Sequence, residues 1–354
     1  MAITYHAGRR IQATSTDFGD NGAGIPAVSG GWKEVGRTTL GSAGDTISVS
    51  SLADKRYYMF LNDLTATGGT IAATLRLNND SGTNYARRRS INGGSDNAYP
   101  NDTIMTLNGN TDTNPRFDVG YLANLSSKEK LNITHGVYQN SSGAGTAPTR
   151  TEIVNKWENT SDAINRVDVI NTGAGDFNTN SEVVVLGWDP DDTHTDNFWE
   201  ELASGTGSGS SINTGIFTTK KYLHVQIYSA GAASSTTIGT QFNSDTGTNY
   251  AERRSSNGGS DASGGGGSVF SVDGNNGTLP MFYNLFIINN ASNEKLCIGH
   301  SVTQNTVGSG TAPTRSETVA KWANTSSQIT SIQWKPNSST TLNSGFLYKV
   351  WGSN

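Results

Sequence analysis

His135 and His300 are the side chains of this 354-residue sequence best suited to proton or metal chemistry. An imidazole titrates near neutrality and binds transition metals through either nitrogen. Both tasks need partners at set spacings, and no His-x-His, His-Glu-x-x-His or paired-cysteine pattern accompanies either residue. Each stands on an alternating apolar run, Leu131, Ile133, His135, Val137 and Leu296, Ile298, His300, Val302, so both are expected to be buried, hydrogen-bonded core residues. Glycoside hydrolysis would need two carboxylates facing across a cleft. Glu129, Glu152, Glu294 and Glu317 each have a basic neighbour, and nothing in the sequence sets two of them opposite one another. No Gly-x-Ser-x-Gly elbow, P-loop or dinucleotide fingerprint is present. The expectation is no enzyme, no cofactor and no metal. Asp189, Asp191, Asp192 and Asp196, with His194, could offer ligands to calcium, but the spacing lacks the EF-hand glycine and glutamate. They read instead as a solvated hinge.

Arg87-Arg88-Arg89 and Glu252-Arg253-Arg254 raise nucleic-acid binding. On a strand, alternate arginines point to opposite faces, and no aromatics interleave them. Structural ion pairs with Glu152 and Glu317 are the expectation, with no nucleic-acid partner. Trp157 and Trp322 recur at matched places; they would be core residues, or platforms for a host-surface glycan if exposed. Asn159-Thr-Ser161 and Asn324-Thr-Ser326 fit a glycosylation sequon but read as turns.

The elements carrying these residues occur twice. Ser81 to Asp96 returns as Thr246 to Asp261 with 13 of 16 positions identical, and Lys128 to Ser161 returns as Asn293 to Ser326 with 22 of 34. Both blocks share one offset of 165 residues, far above a solenoid period, so each copy is a domain with its own core. Alternation in Ile71–Leu77 and Leu223–Ile227, 42 glycines and no long helical pattern give an all-β chain: two tandem β-sandwich, jelly-roll-like domains. Eight or nine strands are expected per copy. The organisation is an N-terminal arm over 1–30, a first sandwich over 31–188, an acidic linker over 189–197 and a second sandwich over 198–354. Thr149–Glu152 and Thr314–Glu317 fit a helix capping box as well as a strand, and a strand is expected. The glycine run Gly264–Gly267 reads as a flexible loop.

Composition narrows the partners. Net charge is −5, so no general attraction to nucleic acid or acidic membranes follows. There is no 18-residue apolar run and no apolar signal region at the start, so neither a membrane span nor export is expected. Cys297 is the sole cysteine, which leaves packing and assembly to supply stability.

Gly-Thr-Asn-Tyr-Ala, Asn-Gly-Gly-Ser, Gly-Thr-Ala-Pro-Thr-Arg, Lys-Trp-x-Asn-Thr-Ser and the closing Lys349-Val-Trp-Gly352 together resemble a repeated β domain of virion structural proteins in marine tailed phages. The opening Ile3 to Gln12 is similar to N-termini of that group. The resemblance implies a capsid decoration or cement protein, or a fibre, made in the host cytoplasm and located on the virion. It implies no catalytic residues. Partners would be the major capsid protein or other virion proteins, and a homo-oligomer, a trimer by analogy. Tyr5, Arg9, Arg10 and Ile11 are the candidate assembly contacts of the arm. Two alternatives stand beside it: a tandem carbohydrate-binding or receptor-binding module, and a double-jelly-roll coat protein.

Overall fold

The computed structural model describes residues 31–107, 112–190, 192, 194, 196–271 and 278–354. Tyr5, Arg9, Arg10 and Ile11 lie outside the described residues. The described chain is all-β. The first copy contains β1 (Lys33–Thr39), β2 (Thr46–Ser50), β3 (Tyr57–Leu64), β4 (Ala66–Thr67), β5 (Ala73–Leu77), β6 (Tyr85–Ile91) and β7 (Asn97–Asp102). It continues with β8 (Met105–Thr106), β9 (Arg116–Ala123), β10 (Lys130–Tyr138), β11 (Thr149–Trp157), β12 (Arg166–Asn171), β13 (Asp176–Phe177) and β14 (Glu182–Trp188). The second copy contains β15 (Glu200–Gly209), β16 (Ile212–Asn213), β17 (Tyr222–Ser229), β18 (Ile238–Phe242), β19 (Tyr250–Ser256) and β20 (Ala262–Gly267). It ends with β21 (Phe270–Ser271), β22 (Met281–Ile288), β23 (Lys295–Thr303), β24 (Thr314–Trp322), β25 (Ile332–Pro336) and β26 (Leu342–Ser353). The count exceeds the eight or nine expected because several two-residue strands and edge strands leave no periodic trace in sequence.

Each copy is an antiparallel sandwich of unequal sheets. In the first, an eight-stranded sheet ordered β1-β14-β3-β9-β10-β11-β6-β7 faces a four-stranded sheet ordered β2-β12-β5-β8. The second repeats this as β15-β26-β17-β22-β23-β24-β19-β20 against β16-β25-β18-β21. Alternate residues fill each interior: Ile47, Leu75, Val167 and Trp157 in one, Phe242, Leu285, Trp322 and Trp334 in the other. The capping-box segments are strands β11 and β24. Their alternation sends Trp157 and Trp322 inward, where each indole Nε1 donates to a turn carboxylate, Asp80 or Asp245, at 2.7 Å. A buried ring cannot serve as a glycan platform, which corrects that expectation for both tryptophans.

The glycine run is also corrected. Residues 262–267 form β20, an edge strand paired with β19. A Cβ on Gly265 would sit 2.7 Å from the Ala144 carbonyl oxygen, and the Gly266 amide donates to that same oxygen at 2.7 Å. The side-chain-free edge is therefore where the Ala144 loop of the first sandwich lies directly on backbone. Gly266 has φ +68, which a glycine adopts without steric cost.

Asn159 Oδ1 accepts from the Ser161 and Asp162 amides, and Asn324 Oδ1 from Ser326 and Ser327, so both sequon matches are Asx turns.

Candidate functional site

The outward faces of the two large sheets are apolar as well as the inward ones, and they meet. Met59, Leu61, Phe117, Val119, Val137, Val184 and Leu186 of the first sheet pack against Phe198, Tyr222, Phe286, Ile288, Leu296, Ile298 and Val319 of the second. Strand alternation explains it: residues of opposite parity in β3, β9, β10 and β14 serve either the sandwich interior or this seam. The molecule thus has three apolar layers, two inside sandwiches and one between them. Each fully buried aliphatic in such a layer contributes about 1.5–3 kcal/mol relative to exposure.

The seam is flanked by polar locks. The loop following β10 reaches over the second sandwich, where the Gly143 amide donates to Glu294 Oε1 at 2.5 Å. Lys321, fully buried, donates its ammonium to the carbonyls of Gln139 at 3.0 Å and Ser141 at 2.5 Å. Burial lowers the Lys321 pKa, opposed by Glu294. Lys221, at the same end of the strands, bridges Asp63 and Glu182, at 3.0 Å each.

Toward the β19–β20 hairpin stands a cluster that neither copy could make alone. Arg150 donates to Asp261 at 2.7 Å, to Glu317 at 2.9 Å and to Glu152 at 3.1 Å. Burial works against its charge, but these carboxylates more than offset that and raise its pKa. Glu152 also bonds His135 Nδ1, and the His135 ring meets His300 edge-on with centroids 4.3 Å apart. Burial and the adjacent His135 push the His300 pKa down to about 4, so its ring is neutral at pH 7. The Glu152 carboxyl is held below its usual range: burial works the other way, and the His135 bond overcomes it.

His135, Glu152 and His300 bring ligand atoms within 4.8 Å of one another. Two imidazoles and a carboxylate are a donor set for a zinc-like ion. The spacing signal was invisible in sequence because the two histidines come from different domains, 165 residues apart. Here Glu152 is already bonded by His135 and by the Arg150 guanidinium, whose charge opposes a second cation beside it. Within the trio His135 and Glu152 are hydrogen-bonded, and His300 joins them by its edge-on ring contact with His135 and a 3.9 Å approach of its Nε2 to Glu152. Both histidines are half-buried at the seam, not core residues as expected.

The arginine runs behave differently from expectation. Glu152 and Glu317 pair with Arg150. Arg87 pairs instead with Asp102 at 2.8 Å, Arg88 with Asp96 at 3.5 Å and Arg254 with Glu252 at 3.3 Å, while Arg253 donates to the Pro148 carbonyl at 2.8 Å. Among the linker acids, Asp192 pairs with Lys55, Asp189 with Arg56 at 3.8 Å and Asp196 with Lys33 at 2.7 Å. His194 Nε2 lies 3.1 Å from the Gly31 carbonyl. The linker is therefore strapped to the first sandwich by ion pairs instead of standing free in solvent. Asp191 lies outside the described residues.

At one end the seam opens into a cleft of about 470 Å³. Trp32, Tyr121, Trp199, His224, Phe286 and Trp351 line it, with the amides of Gln226 and Asn284 among them. His224 stacks between Phe286 and Trp351, with centroids at 4.4 Å and 5.2 Å. Its Nε2 meets Asn284 Oδ1 at 2.7 Å, and burial lowers its pKa to about 4. Trp188 stacks on Tyr57 and tilts against Trp32 on the same side. Sequence reading singled out the two recurring tryptophans, which are core. The unmatched ones, Trp32, Trp188 and Trp199, together with Trp351, form this surface.

No family model matches the chain, and no curated protein matches it. Among solved structures, mouse laminin alpha1 chain, domains LG4-5, aligns at 8% identity over 92% of both chains with a TM-score of 0.16. Neisserial surface protein A aligns at 9% identity over 80% of this chain and 99% of its own, with a TM-score of 0.14. Neither likeness carries an argument about this chain.

Proposed function

We propose that this protein is a structural component of a viral particle, decorating or cementing the capsid or projecting from it, and that it acts by assembly without catalysis. The supporting observation is the seam. Each sandwich presents a second apolar face, on the outside of its large sheet, whose burial requires another domain. Surfaces of that kind belong to proteins that work by docking. Within the chain, two such faces are already married over a desolvated layer with charged locks, the anatomy of an obligate interface. The expected partners are the major capsid protein or other virion proteins. Quantitative mass spectrometry of purified particles tests this. Hundreds of copies per particle place it on the shell, a handful on a tail or fibre, and absence ends the virion reading.

A second reading rests on the aromatic cleft. Flat rings beside amide groups are what a saccharide needs, apolar sugar faces on tryptophan and hydroxyls on Gln226 and Asn284. In that reading the protein is a receptor-binding module. A glycan titration should shift tryptophan emission in the parent and lose the shift in Trp351→Ala. Flat titrations across a broad glycan panel would remove it.

A further inference from the structure

The seam uses opposite ends of two equivalent faces. Each position on one large sheet has a counterpart 165 residues later, and at a subset of these pairs burial is reciprocal, whereas His135 and His300 are both half-buried at the seam. Leu296, Ile298 and Val319 are 1%, 3% and 2% exposed, while their identical counterparts Leu131, Ile133 and Val154 are 58%, 50% and 47% exposed. Phe117 and Val137 are 1% and 0% exposed, while Phe282 and Val302 are 43% and 42%. The polar locks follow the same rule. Buried Arg150 holds buried Asp261, whereas the side chains of Arg315 and Asp96 are 62% and 52% exposed. Buried Glu294 and Lys321 are capped by the loop at 139–147, whereas Glu129 and Lys156 are paired only with each other in the open, and the matching loop at 304–312 is exposed.

An interface that joins two different halves of the same surface is heterologous, and it leaves one unused half at each end. The geometry points to a second copy of this chain as the occupant. The second sandwich of one molecule docks, through Phe282, Val302 and Arg315, on Leu131, Ile133 and Val154 of the first sandwich of the next. Continuity with the existing seam supports it, because the exposed Leu131, Ile133, Val154, Phe282, Val302 and Arg315 are the same residue types as their buried counterparts. Charge supports it too: Arg315 on one side and Asp96 on the other repeat the Arg150–Asp261 pair. The copies also differ. His224, Gln226, Asn284 and Lys349 replace Met59, Leu61, Val119 and Val184, so the second joint keeps apolar contacts at Phe282 and Val302 and turns polar at these four positions. Tyr99 and Pro100 replace Gly264 and Gly265, so the incoming loop meets a ring surface in place of bare backbone. The result is a head-to-tail homo-oligomer, a closed ring where the rotation closes.

The inference supplies one partner for the assembly reading and rests on it, but its test is separate. Analytical ultracentrifugation of the full chain over a concentration series should show mass rising above 37.4 kDa. Ile133→Asp and Asp96→Arg both alter exposed side chains, so each sandwich keeps its core. Each should weaken association roughly tenfold or more. Asp96→Arg combined with Arg315→Asp should recover part of that loss. A monomer at every concentration overturns the inference, and so does association that neither variant weakens. Either result leaves the particle copy number, and with it the virion reading, standing on its own test.

Discussion

At the residue scale, one sequence position plays two roles. Arg150 is buried among three carboxylates, while Arg315, its repeat, is largely exposed beside Glu317. Arg150→Met should therefore destabilise the seam by about 3–5 kcal/mol, since it strands buried negative charge. Arg315→Met in the monomer should change stability by no more than about 0.5 kcal/mol. Urea denaturation of both variants checks the contrast. The same cluster also sets a pH dependence. His300 has a folded pKa near 4 against 6.5 when free, so between those values the unfolded or opened state binds the extra proton. Stability is complete above about 6.5 and is lost as pH falls toward 4. Glu152, held below its usual range, adds loss in the same direction. Thermal melts from pH 7 to pH 4 should show a falling Tm that flattens in His300→Phe; an unchanged slope would remove His300 as the cause. None of this was legible in sequence, where the histidine runs look like core strands. Periodicity identifies the face a residue shares, and says nothing of which other domain covers that face.

At the scale of elements, the sequence was most informative where side-chain alternation is strict. The β11 and β24 segments fit a helix capping box as well as a strand; a short stretch in a β context favours the strand, and they are strands. The Gly264–Gly267 run misled because glycine lacks an alternating side chain to read; its strand exists through pairing with β19 and contact with the Ala144 loop. Gly265→Val should push that loop away and weaken the seam by about 1–3 kcal/mol. Hydrogen exchange would show it as faster exchange at the Gly266 and Gly143 amides, with the β22 and β23 cores unchanged. Buried polar residues also mark the copies apart. Asn155 in β11 bonds Asn132 at 2.7 Å and the Thr106 backbone, while the second copy has Ala320 and Cys297 at those positions. Asn155→Ala should cost about 1–3 kcal/mol by leaving Asn132 and the Thr106 amide without that partner. Adding Asn132→Cys should return part of that loss, because it completes the apolar solution already used in the second sandwich. Equilibrium unfolding of the single and double variants measures it.

For the whole molecule, the duplication was plain in the sequence and the two-sandwich architecture followed from it. What the copies do to each other was not, because identical residues have opposite fates in them. The ion-paired linker gives that asymmetry a thermodynamic meaning. A short tether holds the two sandwiches near each other at an effective concentration of order millimolar, so the first joint forms within every chain regardless of dilution. The proposed second joint has no tether and would obey mass action. In that assembly the protein stays a discrete unit in dilute solution, and head-to-tail association begins only where chains are crowded together. An array of anchoring points would supply that crowding, making the surface on which the protein gathers the trigger for its own cross-linking.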